Sequence, residues 1–247
     1  MDYETIVPQN LAQVRARIGE AALRADRDPE DVRLVAVSKM FPVPAVMAAW
    51  RAGQREFGEN RPREGAEKVT MVAAMMDGNQ PVWHMIGHVQ SRNTRWVVHR
   101  FNYVHSVDRL KLAQKMSRMI ADLEVPELPI LLECNVSGET SKHGYDVAGW
   151  MDDADVREGF FAEVESVLTL DGLRVEGLMT MAPIADDPED VRPVFASLRS
   201  LLEALRERFP DAAWRHLSMG MTDDFDVAVE EGSTMVRVGR GVFGPRP

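Results

Sequence analysis

Lys39 closes the run Arg33-Leu34-Val35-Ala36-Val37-Ser38, so its amine leaves a buried, β-branched segment where water is scarce. Desolvation disfavours the ammonium form and raises the fraction of free amine able to attack an aldehyde. The alternative is a strand-end lysine that carries its head out to water on an apolar stem. A second set of residues stands far along the chain. His216-Leu217-Ser218-Met219-Gly220-Met221-Thr222-Asp223-Asp224 reads as a strand that turns through glycine into a helix, with Thr222 or Asp223 as N-cap. Val236-Arg237-Val238-Gly239-Arg240-Gly241 ends a strand in two glycines one residue apart, a turn whose backbone can come close to a ligand. The Ser218 hydroxyl and the N–H groups of Gly239, Arg240 and Gly241 are the donors that an anion such as phosphate needs.

Arg237 precedes Gly239 by two residues and therefore shares its face of the strand. A guanidinium there can donate to a pyridine nitrogen and, being permanently charged, keeps that nitrogen unprotonated, which makes the ring a poor electron sink. An outward Arg237 paired with Glu230 or Glu231 is the other reading of the same spacing.

The elements that must position these groups follow from the period of the apolar residues, which switches repeatedly between strand-like and helix-like. Strand patterns fall at 33–38, 55–57, 82–86, 103–106, 128–135, 175–179, 214–218 and 235–238, with helical stretches between them and an amphipathic helix at 11–25 in front. Eight βα alternations in a chain of 247 residues predict a (β/α)8 TIM barrel, α/β in class, as a single domain over 1–247. An open doubly wound sheet is the competing topology. In a barrel, function sits at the C-terminal ends of the strands, where Lys39, Asn60, Ser218 and Gly239 lie. Few residues follow the last strand, so the leading helix is expected to fill the seat of the eighth.

Bulk properties narrow the classes of partner. A net charge of -10, from 29 basic and 39 acidic residues, repels polyanions and argues against nucleic acid and anionic membranes. The lone Cys134 excludes an intrachain disulfide and a cysteine metal cage, which suits a reducing cytoplasm. No basic apolar leader and no run of ~20 apolar residues is seen, so a soluble, untargeted protein is expected.

Several ordered blocks together resemble the YggS/PROSC family of pyridoxal phosphate homeostasis proteins. They are Ala36-Val37-Ser38-Lys39, Phe57-Gly58-Glu59-Asn60, Trp83-His84-Met85-Ile86-Gly87-His88-Val89-Gln90, Ser106-Val107-Asp108 and Asn135-Val136-Ser137-Gly138-Glu139 with Ser141-Lys142. Gly177 to Met181, His216 to Met221 and Val236 to Gly239 with Phe243-Gly244 continue the series, so the likeness spans nearly the whole chain. The resemblance implies a monomeric barrel like the N-terminal domain of alanine racemase, with pyridoxal 5′-phosphate (PLP) as a Schiff base on Lys39. It further implies phosphate ligands at Ser218 and the backbone of Gly239 and Arg240, Arg237 on the pyridine nitrogen, and Asn60 and Met219 lining the ring. His88, Asn135 and Thr180 would stand behind these, and Lys142 would make auxiliary contacts or remain a solvated loop lysine. The chain departs from the common family pattern at Thr222, where serine is frequent, at Arg240, where threonine is, and at Arg61-Pro62-Arg63 after Asn60.

The role implied is to bind, buffer and deliver PLP, with apo PLP-dependent enzymes as recipients and no robust catalysis. A PLP-dependent racemase is the main rival, but its second acid/base is a tyrosine from a covering domain, and Tyr3, Tyr103 and Tyr145 are not placed for that. A lysine-dependent aldolase on a phosphorylated sugar would also use a lysine and a phosphate site. An interaction protein with a vestigial site is the third reading.

Overall fold

A computed structural model describes residues 2–245. The chain opens with α1 (Tyr3–Arg24), started by Asp2, whose carboxylate accepts from the Glu4 and Thr5 N–H groups. It then alternates through β1 (Arg33–Val37), α2 (Val43–Arg51), β2 (Glu56–Glu59), α3 (Pro62–Ala73), β3 (Val82–Met85), α4 (Thr94–Val98), β4 (Tyr103–Val107) and α5 (Leu110–Leu123). There follow β5 (Leu128–Asn135), β6 (Tyr145–Asp146), α6 (Ala154–Leu168), β7 (Leu173–Met179), α7 (Arg192–Arg208), β8 (His216–Ser218), α8 (Phe225–Glu230), β9 (Met235–Val238) and α9 (Arg240–Phe243).

All strand pairs are parallel, and β5 joins both β4 and β7 while β1 joins both β2 and β9. The sheet therefore closes on itself as an eight-stranded barrel, as the alternation predicts, and the open-sheet alternative falls away. The two-residue β6 is an addition that pairs only with the end of β5. Parallel strands covered by helices bury both faces, which is why β1, β4 and β5 read as nearly continuous apolar runs.

Apolar side chains divide into two clusters. The large one lies between barrel and helices. A small one, Tyr103, Leu131, Met179 and Met235, sits inside the lumen. Val7, Leu11, Val14 and Ile18 recur at helical spacing on the buried stripe of α1, and this stripe packs against α2, α8 and α9. The leading helix does occupy the eighth seat.

Three boundaries differ from the sequence reading. Helix α6 starts at Ala154, six residues ahead of the 160–168 stretch whose apolar period marks it in the sequence, because the Asp153 carboxylate caps the N–H groups of Asp155 and Val156. The N-cap of α8 is Asp224, not Thr222 or Asp223, and its carboxylate reaches back to the Met221 N–H. The Gly-Arg-Gly end of β9 winds at once into α9, with Gly239 as its cap.

The seam between β5 and β7 carries a bulge: Ile130 faces Val175 but Leu131 faces Gly177. Gly177 takes φ +155, and a Cβ there would lie 1.9 Å from the His216 carbonyl oxygen on β8. Gly177→Ala should therefore destabilise the barrel by more than ~2 kcal/mol, read as a loss of urea midpoint at unchanged slope.

Candidate functional site

Lys39 lies just beyond β1, half-buried, in a turn where the Ser38 carbonyl accepts from the Phe41 N–H. The next residue, Met40, has φ +67, a left-handed conformation that a side chain adopts at a cost of order 1 kcal/mol or more. The turn is held from below. Lys68 on α3 donates to the Ser38 carbonyl at 2.7 Å and to Glu59 Oε1 at 2.6 Å, and the Ser38 hydroxyl donates to the same carboxylate oxygen at 2.7 Å. Burial pushes the Glu59 carboxyl up while the Lys68 ammonium opposes it. This buried knot fixes the last residue before Lys39, and the sequence reading missed it: Lys68 looks like any lysine of an amphipathic helix until Glu59 is seen opposite.

Lys39 borders a cavity of about 220 Å³ with Met40, Glu59, Asn60, Arg61 and Glu64. Asn60 stands at the end of β2, its Oδ1 buried without a hydrogen-bond partner among the described residues. Its backbone presses on Gly87 so closely that a Cβ there would come within 2.2 Å of the Asn60 carbonyl oxygen. Across the β1–β9 seam Ala36 pairs with Val238, and continuing that register sets Val37 beside Gly239. A Cβ on Gly239 would lie 3.4 Å from the Val37 carbonyl oxygen. The Gly239-Arg240-Gly241 turn is thereby laid alongside Ser38-Lys39. As at any helix start, the first N–H groups of α9 lack intrahelical partners. Gly241 abuts Thr222, whose Cγ2 would be 3.4 Å from an added Cβ, so the turns after β8 and β9 meet. The Arg240 side chain points away to an exposed ion pair with Asp223 that bridges them.

Arg237 is 4% exposed and projects into the lumen, not outward. Its Nη2 donates to the Thr180 carbonyl at 2.8 Å and its Nη1 to Ser218 Oγ at 2.6 Å. Glu230 and Glu231, the outward partners considered from sequence, are engaged by Arg24, Arg192 and Arg199. Burial lowers Arg237 to about 10, with Asp224 and Glu133 pulling the other way, so it remains charged at neutral pH.

Ser218, expected as a phosphate donor, is engaged inside the lumen. Its oxygen accepts from Arg237 and lies 2.8 Å from His105 Nδ1; His105 Nε2 lies 2.9 Å from His84 Nδ1; and His84 Nε2 stands 3.3 Å from Glu56 Oε2. Burial holds His105 far below the ordinary histidine range, with His84 and Arg237 adding to the effect, so it is neutral. Which ring nitrogen carries each proton sets the direction of these contacts, and with His105 neutral Ser218 Oγ meets either an accepting or a donating Nδ1. Met219, expected to line the ring, is turned by alternation to the opposite face from Ser218, into the core between barrel and helices.

Among the remaining sequence candidates, Asn135 accepts from the Ser137 hydroxyl and Gly138 N–H, and Thr180 donates to the Cys134 carbonyl. These side chains shape loops. Lys142 is no freely solvated lysine: it donates to the Ala182 carbonyl at 3.3 Å and lies 3.8 Å from Glu139. Burial pushes the Cys134 thiol up, leaving it inert. Glu133, on the lumen face two residues after Leu131, has an unpartnered buried Oε2.

A closed parallel barrel with a lysine and a glycine-bounded helix start side by side at its mouth, over a buried arginine, defines a (β/α)8 protein whose polar groups gather at the C-terminal ends of its strands. The family model described as alanine racemase, N-terminal domain matches residues 9–247. A pyridoxal phosphate homeostasis protein of Pseudomonas aeruginosa is 41% identical over 241 residues, covering 97% of this chain and 96% of the relative. That of Vibrio alginolyticus is 38% identical over 240 residues, with 97% of each covered. The solved structure of PipY from Synechococcus elongatus with PLP bound has a TM-score of 0.78 at 32% identity, over 96% of this chain and 100% of that one. Alanine racemase of Clostridium difficile has a TM-score of 0.70 at 13% identity over 98% of this chain and 57% of that one, a likeness of fold alone. The chain belongs to the alanine racemase N-terminal domain family and, within it, to the pyridoxal phosphate homeostasis proteins.

Burial, with Asp108 adding to it, raises Glu133 from 4.5 to about 7. The folded protein thus holds this proton more tightly than the unfolded chain, and that stabilisation is complete below pH 4.5 and lost as pH rises to about 7. Glu133→Gln should remove the loss, so the variant gains on the parent by ~1–3 kcal/mol between pH 5 and pH 8 in urea unfolding. A constant difference would show that Glu133 does not titrate there.

Proposed function

We propose that the protein binds PLP as a Schiff base on Lys39 and serves in the cytoplasm as a monomeric carrier that buffers the cofactor and delivers it to apo PLP-dependent enzymes. The observation that carries this reading is the placement of Lys39 beside the Gly239-Arg240-Gly241 turn, with Arg237 buried beneath. The donor set fits the group. The amine suits its aldehyde, and the turn's N–H groups with the Thr222 hydroxyl suit its phosphate. The guanidinium suits its ring nitrogen, and the unpartnered Asn60 Oδ1 is a polar atom awaiting a neighbour in the mouth. When bound, PLP would supply an electrophilic carbon and a ring able to withdraw electrons.

Arg237 would hold the ring nitrogen unprotonated and so weaken that withdrawal, which favours keeping the cofactor over using it. The tyrosines support the same view. Tyr103 stacks on His84 inside the lumen and Tyr145 packs on Phe160 in the outer core, both with buried, unpartnered hydroxyls, while Tyr3 lies on α1. None of them faces the mouth as an acid/base for a substrate. Among the described residues no helix is long and apolar enough to cross a membrane.

Protein incubated with PLP should be yellow, and borohydride should bleach the colour while leaving the mass of reduced PLP on Lys39. Lys39→Ala should lose both signals and remain folded by circular dichroism. A colourless protein, or the label on another lysine, would refute PLP binding at this site and revive the aldolase reading. Steady racemisation, transamination or decarboxylation that disappears in Lys39→Ala would leave the cofactor in place but overturn the carrier role.

A further inference from the structure

The loops after β3, β4 and β5 each bring one residue to a common point at the barrel mouth: His88, Asp108 and His143. One ligand atom of each lies within 4.8 Å of the other two. The PLP reading sets His88 only behind the cofactor ligands and uses neither Asp108 nor His143. His88 Nδ1 is 2.9 Å from Asp108 Oδ2, and this buried nitrogen makes no hydrogen bond among the described residues. Metal bonds of ~2.0–2.1 Å in a tetrahedron place donor atoms roughly 3.3 Å apart. The Asp108 side chain is only 6% exposed, and the Arg109 guanidinium takes Oδ1, leaving Oδ2 to face the histidine. The His143 ring is stacked on His88 at 4.2 Å between centroids.

We infer that His88, Asp108 and His143 form a binding site for a divalent transition metal, with Zn²⁺ the best match. Two imidazoles and one carboxylate are the donors such an ion prefers, whereas Mg²⁺ and Ca²⁺ require oxygen ligands. His143 is the exposed member and completes the shell by turning a ring nitrogen edge-on toward the other two. Three protein ligands leave a fourth position for water. A metal here ties three mouth loops together beside the cofactor cavity, since His88 and Asn60 line one depression.

The test is calorimetric titration of the full chain, loaded with PLP and then stripped of metal by EDTA, with ZnCl2 and, separately, MgCl2. One equivalent of Zn²⁺ and no Mg²⁺ should bind. His143→Ala, which alters an exposed side chain, should weaken Zn²⁺ at least tenfold with an unchanged melting temperature in the absence of metal. His88→Ala should weaken it comparably, and His99→Ala, at an exposed histidine outside the cluster, should leave it unchanged. Anomalous density at the zinc edge should fall between the three side chains. Zn²⁺ affinity unchanged in both His143→Ala and His88→Ala, density at another position, or no binding up to millimolar Zn²⁺ would overturn the inference.

Discussion

A guanidinium taken from water into a protein interior costs several kcal/mol unless acceptors surround it, and Arg237 is such a group in the lumen of this barrel. That burden shapes the neighbouring positions. Thr180 gives a carbonyl, Ser218 an oxygen, and His105 and His84 pass the polarity of the Ser218 hydroxyl on toward Glu56 at the start of β2. The tautomers of the two histidines and the orientation of the hydroxyl are therefore coupled to one another. The apolar filling includes the small cluster of Tyr103, Leu131, Met179 and Met235.

Closure of β9 on β1 turns this interior into a site. Residues 39 and 239 are two hundred positions apart, yet the seam makes their strand ends neighbours, and Gly239 lets the two backbones approach. The knot of Ser38, Glu59 and Lys68 then prevents the β1 end from adjusting freely, because moving it would strand a buried ion pair. Strain at Met40 is held by the same contacts.

The strands and most helices were legible in the sequence because apolar period is a strong signal over runs of this length. Lys39, Asn60, Arg237 and the Gly239 turn also fell where strand ends predicted. What stayed hidden depends on direction and partners rather than on residue type. Ser218 is a hydroxyl near a phosphate-type turn, but its oxygen is engaged by Arg237 and His105 inside the lumen, and no sequence pattern states which partners a hydroxyl takes. Met219 follows the alternation of the strand, which puts it opposite Ser218 and into the outer core. Lys68 and Glu59 carry no local mark of their pairing, being nine residues apart across a turn. The early start of α6 was signalled by Asp153, a capping residue whose helix opens with polar side chains.

The seating of α1 has a consequence for biogenesis. Its apolar stripe, Val7, Leu11, Val14 and Ile18, is synthesised before two of the helices that cover it, α8 and α9. Until those helices are made this hydrophobic surface waits without its native cover, and β1 waits likewise for β9. Such long-range closure slows folding and exposes apolar surface on the nascent polypeptide in the meantime.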